Sequence, residues 1–280
     1  MLPSLRKAFF RAYGTVLPKH AARWFERALL IPRPVPPLDV SEPNARANAY
    51  RLPYGNGWLT VTEWGTGPAV LLIHGWGGRS ASFHAFVDPL VAAGYRAVTV
   101  DLPAHGSSHG RRTNVIECAG AALQVGRAVG SLAGIVTHSF GGPVAALAWR
   151  HGLRADRVVM LAPPVSIWSV SLPVADWLGL PRHVSEGMMQ GFARRMGITW
   201  EEVRTDRLVF GMPVPVLVMH DEDDRKIPWS HGAAVARGAP HGTLHTTTGL
   251  GHRDVLTEPA VVGEVVAFIA EDAKSTRRIA

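Results

Sequence analysis

The feature that most constrains this chain is a series of short, continuous apolar runs separated by segments long enough to form helices. Runs without polar alternation are typical of strands buried on both faces of a sheet; here they are Ala69–Ile73, Ala97–Val100, Gly134–Thr137, Val158–Leu161 and Val214–Met219. The helical-length segments are Ser80–Ala93, Asn114–Val129, Phe140–Arg150 and His231–Arg237. Strands that alternate with helices predict an α/β fold with a mostly parallel central sheet flanked by helices. One earlier segment, Trp58–Trp64, alternates polar and apolar residues as an antiparallel strand does.

Composition excludes several classes of protein. Of the 280 residues 47% are hydrophobic, which excludes a disordered polyampholyte and allows a substantial core. The single cysteine, Cys118, excludes a disulfide framework and a cysteine-based zinc cluster. A chain with so little cysteine is expected in a reducing compartment, and we expect a cytoplasmic protein.

The net charge of +7 is concentrated at the N-terminus. Residues 1–34 hold seven Lys/Arg and one acid, Glu26, whereas the rest of the chain holds 22 basic and 21 acidic residues. The nearly neutral body argues against a nucleic-acid-binding face, and no run is long enough for a transmembrane segment.

This basic N-terminus is expected to form a helical arm over residues 1–50. Apolar residues recur at helical spacing on either side of Pro18: Leu5, Phe9, Tyr13 and Val16, then Ala21, Trp24 and Ala28. The favoured interpretation is a pair of amphipathic helices packed on the domain with arginines in water. The alternative is a basic face that lies on an anionic membrane or on a partner, or that mediates self-association.

Residues 164–212 interrupt the alternation of strands and helices and contain no clear strand. We expect a helical cap there, inserted into a core made of residues 51–163 and 213–280. Aromatic and methionine side chains in the cap are typical of an adaptable apolar pocket, but they also fill ordinary cores. The candidate substrate-binding residues are Trp76, His138, Trp168, Trp177, Met188, Met189 and Phe192.

A serine follows the apolar run that ends at Thr137, in the segment Thr137-His-Ser139-Phe-Gly-Gly142. A serine on a sharp strand-to-helix turn projects its hydroxyl above the sheet, and small neighbours are needed because the turn is strained. Thr137 stands where the usual Gly-x-Ser-x-Gly pattern has its first glycine. The alternative is an ordinary serine N-cap of the next helix.

A glycine-rich loop, His74-Gly-Trp-Gly-Gly78, follows the strand Ala69–Ile73. Such a loop can present a backbone N–H to the oxyanion that forms during acyl transfer. The candidate donors are the N–H groups of Trp76 and Phe140. The alternatives are a plain turn or a phosphate loop, but Arg79-Ser80 lacks the lysine that a phosphate loop needs.

A serine nucleophile needs a base and an orienting acid. His252 lies in a loop after the strand-like segment Thr243–Thr248, and four acids, Asp221 to Asp224, follow the strand that ends at His220. Asp224, four residues before Pro228, is the candidate acid and Asp223 is the fallback. The other acids are expected to form a solvated loop.

These motifs together resemble the α/β-hydrolase superfamily, in its serine esterase and lipase-like branch, over roughly residues 51–273. The resemblance rests on the loop His74–Gly78, on Ser139, on Asp224 to Pro228, and on Gly251-His252, in the order that this fold uses. Asp101 to Ser108 also resembles the family's Asp-x-x-Gly-His-Gly-x-Ser stretch, with Ala104 in place of a glycine; the resemblance implies a structural role for His105.

The resemblance implies a Ser139–His252–Asp224 triad, acyl chemistry, and no metal or organic cofactor. Relatives with dehalogenase or epoxide hydrolase activity carry Asp at the position of Ser139, so those activities are disfavoured. The leading hypothesis is a carboxylesterase that acts on small to medium, apolar, uncharged ester substrates. The alternatives are an acyltransferase or perhydrolase, a carbon–carbon bond hydrolase, and a ligand-binding member without turnover.

Overall fold

The computed structural model describes residues 3–271; Met1, Leu2 and residues 272–280, which the expected arm and core ranges include, lie outside the described residues. An eight-stranded sheet runs through the described chain in the order β1-β2-β4-β3-β5-β6-β7-β8. Its strands are β1 (Ala47–Tyr54), β2 (Gly57–Trp64), β3 (Ala69–Ile73), β4 (Arg96–Asp101), β5 (Leu132–His138), β6 (Arg157–Leu161), β7 (Val216–Asp221) and β8 (Gly242–Thr247). Only β2 is antiparallel to its neighbours β1 and β4; the other neighbouring pairs are parallel. The predicted α/β architecture is therefore confirmed.

Helices connect the strands and cover both faces of the sheet. They are α1 (Pro3–Val16), α2 (Pro18–Leu29), α3 (His84–Ala92), α4 (Val115–Val129), α5 (Gly141–Arg150), α6 (Ile167–Leu178), α7 (Arg182–Met196), α8 (Thr205–Leu208), α9 (Trp229–Gly238) and α10 (Pro259–Ala270). The segment predicted as one helix over Ser80–Ala93 divides into a 3-10 turn, Ser80–Phe83, and α3.

The core consists of two apolar layers, one on each face of the sheet. One layer packs α4, α5 and α9 against the sheet, and the other packs α3 and α10. In β3, Leu71 and Ile73 belong to the first layer and Val70 and Leu72 to the second, so the strand shows no alternation in sequence. Full burial of each such side chain contributes about 1.5–3 kcal/mol.

The sequence did not predict β1, and the helical arm expected over residues 1–50 is too long. The helices of the arm end at Leu29, residues 30–46 contain no helix, and β1 begins at Ala47. Five prolines between residues 32 and 43 explain why the helix does not continue, because proline removes a helical hydrogen bond and clashes with the preceding turn. Pro53 lies inside β1, which is tolerated because β1 is an edge strand.

The four helices α1, α2, α6 and α7 form a layer that we call the helical roof. Its buried cluster joins α2 to the two cap helices and consists of Ala21, Phe25, Ala175, Leu178, Leu180, Val184, Met188 and Met189. A salt bridge between Glu26 of α2 and Arg195 of α7 spans the same contact. Helix α2 therefore packs on the domain, as the favoured interpretation of the arm predicts.

Helix α1 differs from that expectation. Three of the four residues of its predicted apolar stripe remain in water, with Leu5 and Phe9 each 58% exposed and Val16 74% exposed. The fourth, Tyr13, is half-buried against the cluster of the roof. The inner side of α1 is instead formed by half-buried Phe10 and by Gly14, which is buried. Pro181 lies so close to Gly14 that a Cβ there would meet the proline ring at 2.5 Å.

A second close contact joins the arm to the cap at Gly179, the residue that ends α6. Its φ of +87° lies in the left-handed region, and an added Cβ would lie 2.7 Å from the Cα of Lys7. The pair α1 and α2 therefore packs so closely on the pair α6 and α7 that neither glycine has room for a side chain.

Candidate active site

Ser139 occupies a strained turn between β5 and α5. Its φ is +52°, a left-handed value that is rare for a residue with a side chain, and its N–H donates to the Leu161 carbonyl at 2.8 Å. Thr137, in the place of the family's first glycine, is fully buried and donates its hydroxyl to the Val159 carbonyl at 3.2 Å. No side chain caps α5, so the alternative of a serine N-cap is wrong.

Three side chains from separate loops meet at this turn. The Ser139 Oγ lies 3.0 Å from His252 Nε2, and His252 Nδ1 lies 2.6 Å from Asp224 Oδ2. Since a carboxylate only accepts hydrogen bonds, the Nδ1–H donates to Asp224 and the free Nε2 faces the serine hydroxyl. This arrangement is able to remove a proton from the hydroxyl and hold it on the imidazole.

The Asp224 carboxylate is enclosed and held from several sides. Its Oδ1 accepts the N–H groups of Lys226 at 2.8 Å and Ile227 at 2.9 Å, and its Oδ2 lies 3.3 Å from His220 Nε2. Burial alone would raise the pKa of Asp224, but the contacts with His220, His252 and the Ile227 N–H outweigh it and hold the pKa below its usual range. Asp224 therefore stays ionised while it orients His252.

One of the other acids of this segment, Asp221, differs from the expected solvated loop, whereas Glu222 and Asp223 are exposed as expected. Asp221 is fully buried, and its Oδ1 accepts the N–H groups of Asp223 and Gly251, each at 2.9 Å. Its Oδ2 accepts the Thr247 hydroxyl at 2.8 Å and the Leu250 N–H at 3.1 Å. Asp221 thus fixes the loop that carries the base. Its position as the last residue of a buried strand was the signal that the sequence offered.

Asp223, the fallback acid, does not reach His252. It is exposed, and its Oδ2 accepts the Gly249 N–H at 2.9 Å. Its carboxylate therefore holds Gly249 of this loop and makes no hydrogen bond with the imidazole.

The glycine-rich loop after β3 lies directly against the serine. His74 is buried with its Nδ1 2.8 Å from the Gly75 carbonyl, and its Nε2 accepts the Leu102 N–H at 3.1 Å. No hydrogen bond within residues 3–271 uses the backbone N–H of Trp76 or Phe140. Both candidate oxyanion donors therefore remain available to a ligand.

Two further histidines support this site without facing the Ser139 hydroxyl. His138 Nε2 donates to the His252 carbonyl at 2.8 Å, and the two rings lie 4.9 Å apart. His105 packs against the rings of His74 and Trp76. Burial, together with a neighbouring imidazole, lowers the pKa of His138 and of His105 to about 3, so both rings stay neutral near neutral pH.

A cavity of about 550 Å³ opens above Ser139 and His252, between the sheet and the helical roof. Five of the seven candidate substrate-binding residues line it: Trp76, Trp177, Met188, Met189 and Phe192. His138 instead lines a small adjoining cavity of about 50 Å³. Trp168 lines neither cavity and packs against the buried cluster of the roof. Met188 and Met189 both line the cavity and belong to that cluster, so the pocket and core interpretations hold together.

The cavity also has walls that sequence reasoning missed. Glu26, Leu29 and Leu30 of the arm line it, together with Asn114 and Val115 at the start of α4. The arm therefore contributes directly to the site. No local motif marks Leu29 and Leu30, because their role depends on α2 meeting α7.

Cofactor chemistry was not expected from the sequence. Within residues 3–271, no three His, Cys, Asp or Glu side chains are arranged so that they could hold a metal ion.

Known proteins resemble this chain in sequence and in fold. A family model described as the alpha/beta hydrolase family matches residues 70–265. A pimeloyl-(acyl-carrier protein) methyl ester esterase from Aeromonas hydrophila subsp. hydrophila is 44% identical over 50 residues, 18% of this chain and 19% of that protein, so the chain matches about a fifth of its length. A non-heme haloperoxidase from Rhodococcus erythropolis is 26% identical over 227 residues, 62% of this chain and 81% of that protein. The solved structure of a serine hydrolase involved in carbazole degradation superposes with a TM-score of 0.62 at 16% identity, covering 81% of this chain and 100% of the other.

Proposed function

The chain belongs to the alpha/beta hydrolase family, and on that premise we propose that it cleaves carboxylic esters through an acyl-enzyme on Ser139. The observation that carries the proposal is the contact chain Ser139–His252–Asp224, with distances of 3.0 and 2.6 Å, at the floor of the cavity. The similarity to a methyl ester esterase supports the same reaction class, over a short stretch.

The reaction begins with attack of the Ser139 oxygen on the ester carbonyl carbon while its proton passes to His252 Nε2. The carbonyl oxygen becomes an oxyanion that the N–H groups of Trp76 and Phe140 stabilise; one such donor is worth about 3 kcal/mol of barrier. His252 then gives its proton to the departing alcohol, and the acyl group stays on Ser139. Water attacks the acyl group with His252 as the base, which releases the acid and restores the serine hydroxyl.

The substrate is expected to be small to medium, apolar and uncharged around the ester. The walls of the cavity are mostly aliphatic, aromatic or methionine side chains, and a volume of about 550 Å³ is in the range of small-molecule sites. Arg225 and Lys226 line the cavity but are exposed, which places their charges at its rim. Glu26 is paired with Arg195, so its charge is compensated.

Ser139→Ala tests the proposal on a chain-length panel of nitrophenyl esters. We expect kcat/KM to fall about 10⁴- to 10⁶-fold, the range that removal of one triad member produces. Ser171→Ala is the matched control, since Ser171 lines the same cavity and its hydroxyl bonds only to the Ile167 carbonyl of its own helix. Full activity of Ser139→Ala would eliminate the proposed nucleophile, and a wild type inactive on every ester would favour a ligand-binding role.

A second candidate is acyl transfer to a nucleophile other than water. The similarity to a haloperoxidase over 81% of that protein favours peroxide as the acceptor, because attack of hydrogen peroxide on the acyl-enzyme would yield a peracid. Product partition in the presence of added peroxide or alcohol distinguishes the two. If the free acid remains the main product at high acceptor concentration, acyl transfer is excluded and the reaction is hydrolysis.

A further inference from the structure

Helix α1 leaves its apolar side in water. Leu5, Phe9, Ala12 and Val16 recur at helical spacing and are all exposed, so they form one stripe along the helix. Exposed apolar residues are normal when scattered, but a contiguous stripe indicates a binding surface. Leu17 and Trp24, which are 48% and 40% exposed, extend the apolar surface toward α2.

Aromatic rings connect this stripe to the second helix of the arm. The ring of Phe9 lies 5.2 Å from that of Phe10, and Phe10 lies 4.9 Å from Trp24. Trp24 is the neighbour of Arg23, which belongs to the exposed line Lys19, Arg23 and Arg27, spaced every four residues along α2. The apolar stripe and a basic line therefore share one continuous surface.

Most cations of α1 and α2 have no acidic partner in the described part of the chain. Among residues 3–271, no carboxylate lies within salt-bridge distance of Lys7, Arg11, Lys19, Arg23 or Arg27. The single acid of α1 and α2, Glu26, is paired with Arg195 of α7. A second copy of this chain would place like charges face to face, which disfavours self-association through this surface.

Helix α1 also contacts a residue that lines the cavity. Arg6 of α1 lies over the ring of Trp177 at 3.6 Å and donates to the Trp177 carbonyl at 2.9 Å. Trp177 lines the cavity and is 58% exposed, and Val174, one turn earlier, also lines it and is exposed.

We propose that the exposed side of the arm, made of the α1 stripe and the basic line of α2, docks on an anionic lipid surface. An amphipathic helix with apolar residues on one side and Lys/Arg beside them lies in the plane of a bilayer interface, and anionic headgroups supply the charge that the arm lacks. Docking would hold the protein at the surface without a membrane span, since within residues 3–271 no helix is long and apolar enough to cross a bilayer. The proposal does not depend on ester hydrolysis, so Ser139→Ala should bind vesicles as the wild type does.

The test is co-sedimentation of the full chain with vesicles of phosphatidylcholine alone or with added phosphatidylglycerol. The wild type is expected to bind only the anionic vesicles and to dissociate as salt is raised. Lys19→Gln with Arg23→Gln should weaken binding about 10- to 30-fold. The matched control, Arg127→Gln with Arg237→Gln, removes two exposed cations of the core helices and should leave binding unchanged.

A second pair of variants tests the apolar contribution. Leu5→Ser, Phe9→Ser and Val16→Ser together should abolish binding, whereas Phe210→Ser, a change at a 74% exposed residue outside the arm, should not. Thermal unfolding of each variant verifies that it is folded. Failure of the wild type to bind anionic vesicles would overturn the proposal. It would also be overturned if the Arg127→Gln, Arg237→Gln variant lost as much vesicle binding as the Lys19→Gln, Arg23→Gln variant. A lipid-free dimer that dissociates in the Leu5/Phe9/Val16 variant, with no change in vesicle binding, would also overturn it.

Discussion

The carboxyl end of the sheet and the helical roof above it form the two sides of one cavity, and they are built in opposite ways. The sheet side contributes Ser139, His252 and Asp224 from three loops, each held by hydrogen bonds to a neighbouring strand or loop. The roof side contributes apolar side chains on α2, α6 and α7, and its helices meet through one buried cluster and two close contacts. Because the sheet side is fixed by directional bonds and the roof by packing, we expect changes in the first to alter the rate of the chemical step. Changes in the second should alter substrate affinity.

The acid loop gives the largest expected effect on the sheet side. Asp224→Asn should lower kcat about 10⁴-fold, since an amide favours the wrong tautomer of His252. Asp223→Asn is the matched change one residue away, and its side chain contacts only the Gly249 N–H. It should stay within a few-fold of the wild type on the ester panel. If Asp223→Asn were inactive and Asp224→Asn active, Asp223 and not Asp224 would be the acid that orients His252.

Gly75→Ala probes the oxyanion loop. A Cβ at this position would lie 3.2 Å from Ser139 Cβ and 3.1 Å from His138 Nδ1, so the loop or one of these two residues must move by a few tenths of an ångström. We expect kcat to fall about 10²- to 10³-fold, as when one oxyanion donor is lost. Gly187→Ala, on α7 with open space around it, is the control and should not reduce kcat. An unchanged kcat for Gly75→Ala would show that this loop does not supply a donor.

Leu30→Ala and Met188→Ala test the roof side of the comparison. Each shortens a side chain that lines the cavity, one from the arm and one from the cap. Each should raise KM for longer acyl chains about 10-fold while kcat changes little, since a few buried methylene groups are worth about 1–3 kcal/mol of substrate binding. Leu5→Ala, at an exposed position of α1, serves as the control. A fall in kcat with unchanged KM would mean that the roof acts on the chemistry and would break the comparison.

Acid should lower the free energy of unfolding, because two histidines beside the site are held neutral in the folded chain. In the unfolded chain imidazoles take up protons near pH 6.5, whereas burial first, with a neighbouring imidazole, lowers the pKa of His138 and His105 to about 3 in the folded chain. Below about pH 6.5 the unfolded state therefore binds more protons, and stability falls with pH until the folded groups titrate near pH 3.

Urea unfolding at several pH values between 7.5 and 4.5 measures this slope. His105→Gln should flatten it, and His183→Gln, an exposed imidazole on α7, is the matched control. A slope that is the same in His105→Gln as in the wild type would contradict the assignment.

The sequence predicted the sheet side of the cavity better than the roof side. Ser139, His252 and Asp224 were identified because each lies in a loop directly after a strand, where a few adjacent residues specify the local turn. Asp221 was wrongly expected to be solvated, because the run of four acids outweighed its position at the end of a buried strand; its carboxylate accepts the Gly251 N–H and the Thr247 hydroxyl. The strand β1 was missed because it is mostly exposed, contains Pro53 and lacks a buried apolar run.

The walls of the roof were out of reach for a different reason. Leu30 and Met188 line one cavity although more than 150 residues separate them in sequence. Such a contact arises only from the packing of α2 on α7, and no residue pattern near either position encodes it. The expectation for α1 failed similarly, since the helical spacing predicts an apolar stripe but does not say which side of the helix meets Pro181.

The backbone contacts at Gly14 and Gly179 have a consequence for the order in which the chain is made. Residues 3–29 leave the ribosome long before the helices they fit against, residues 167–196, which are completed only after most of the sheet has been synthesised. Until then the arm presents both its apolar sides, including Phe25 and Phe10, to the surroundings. Helices α1 and α2 are therefore available to a chaperone or a lipid surface well before they reach their native contacts.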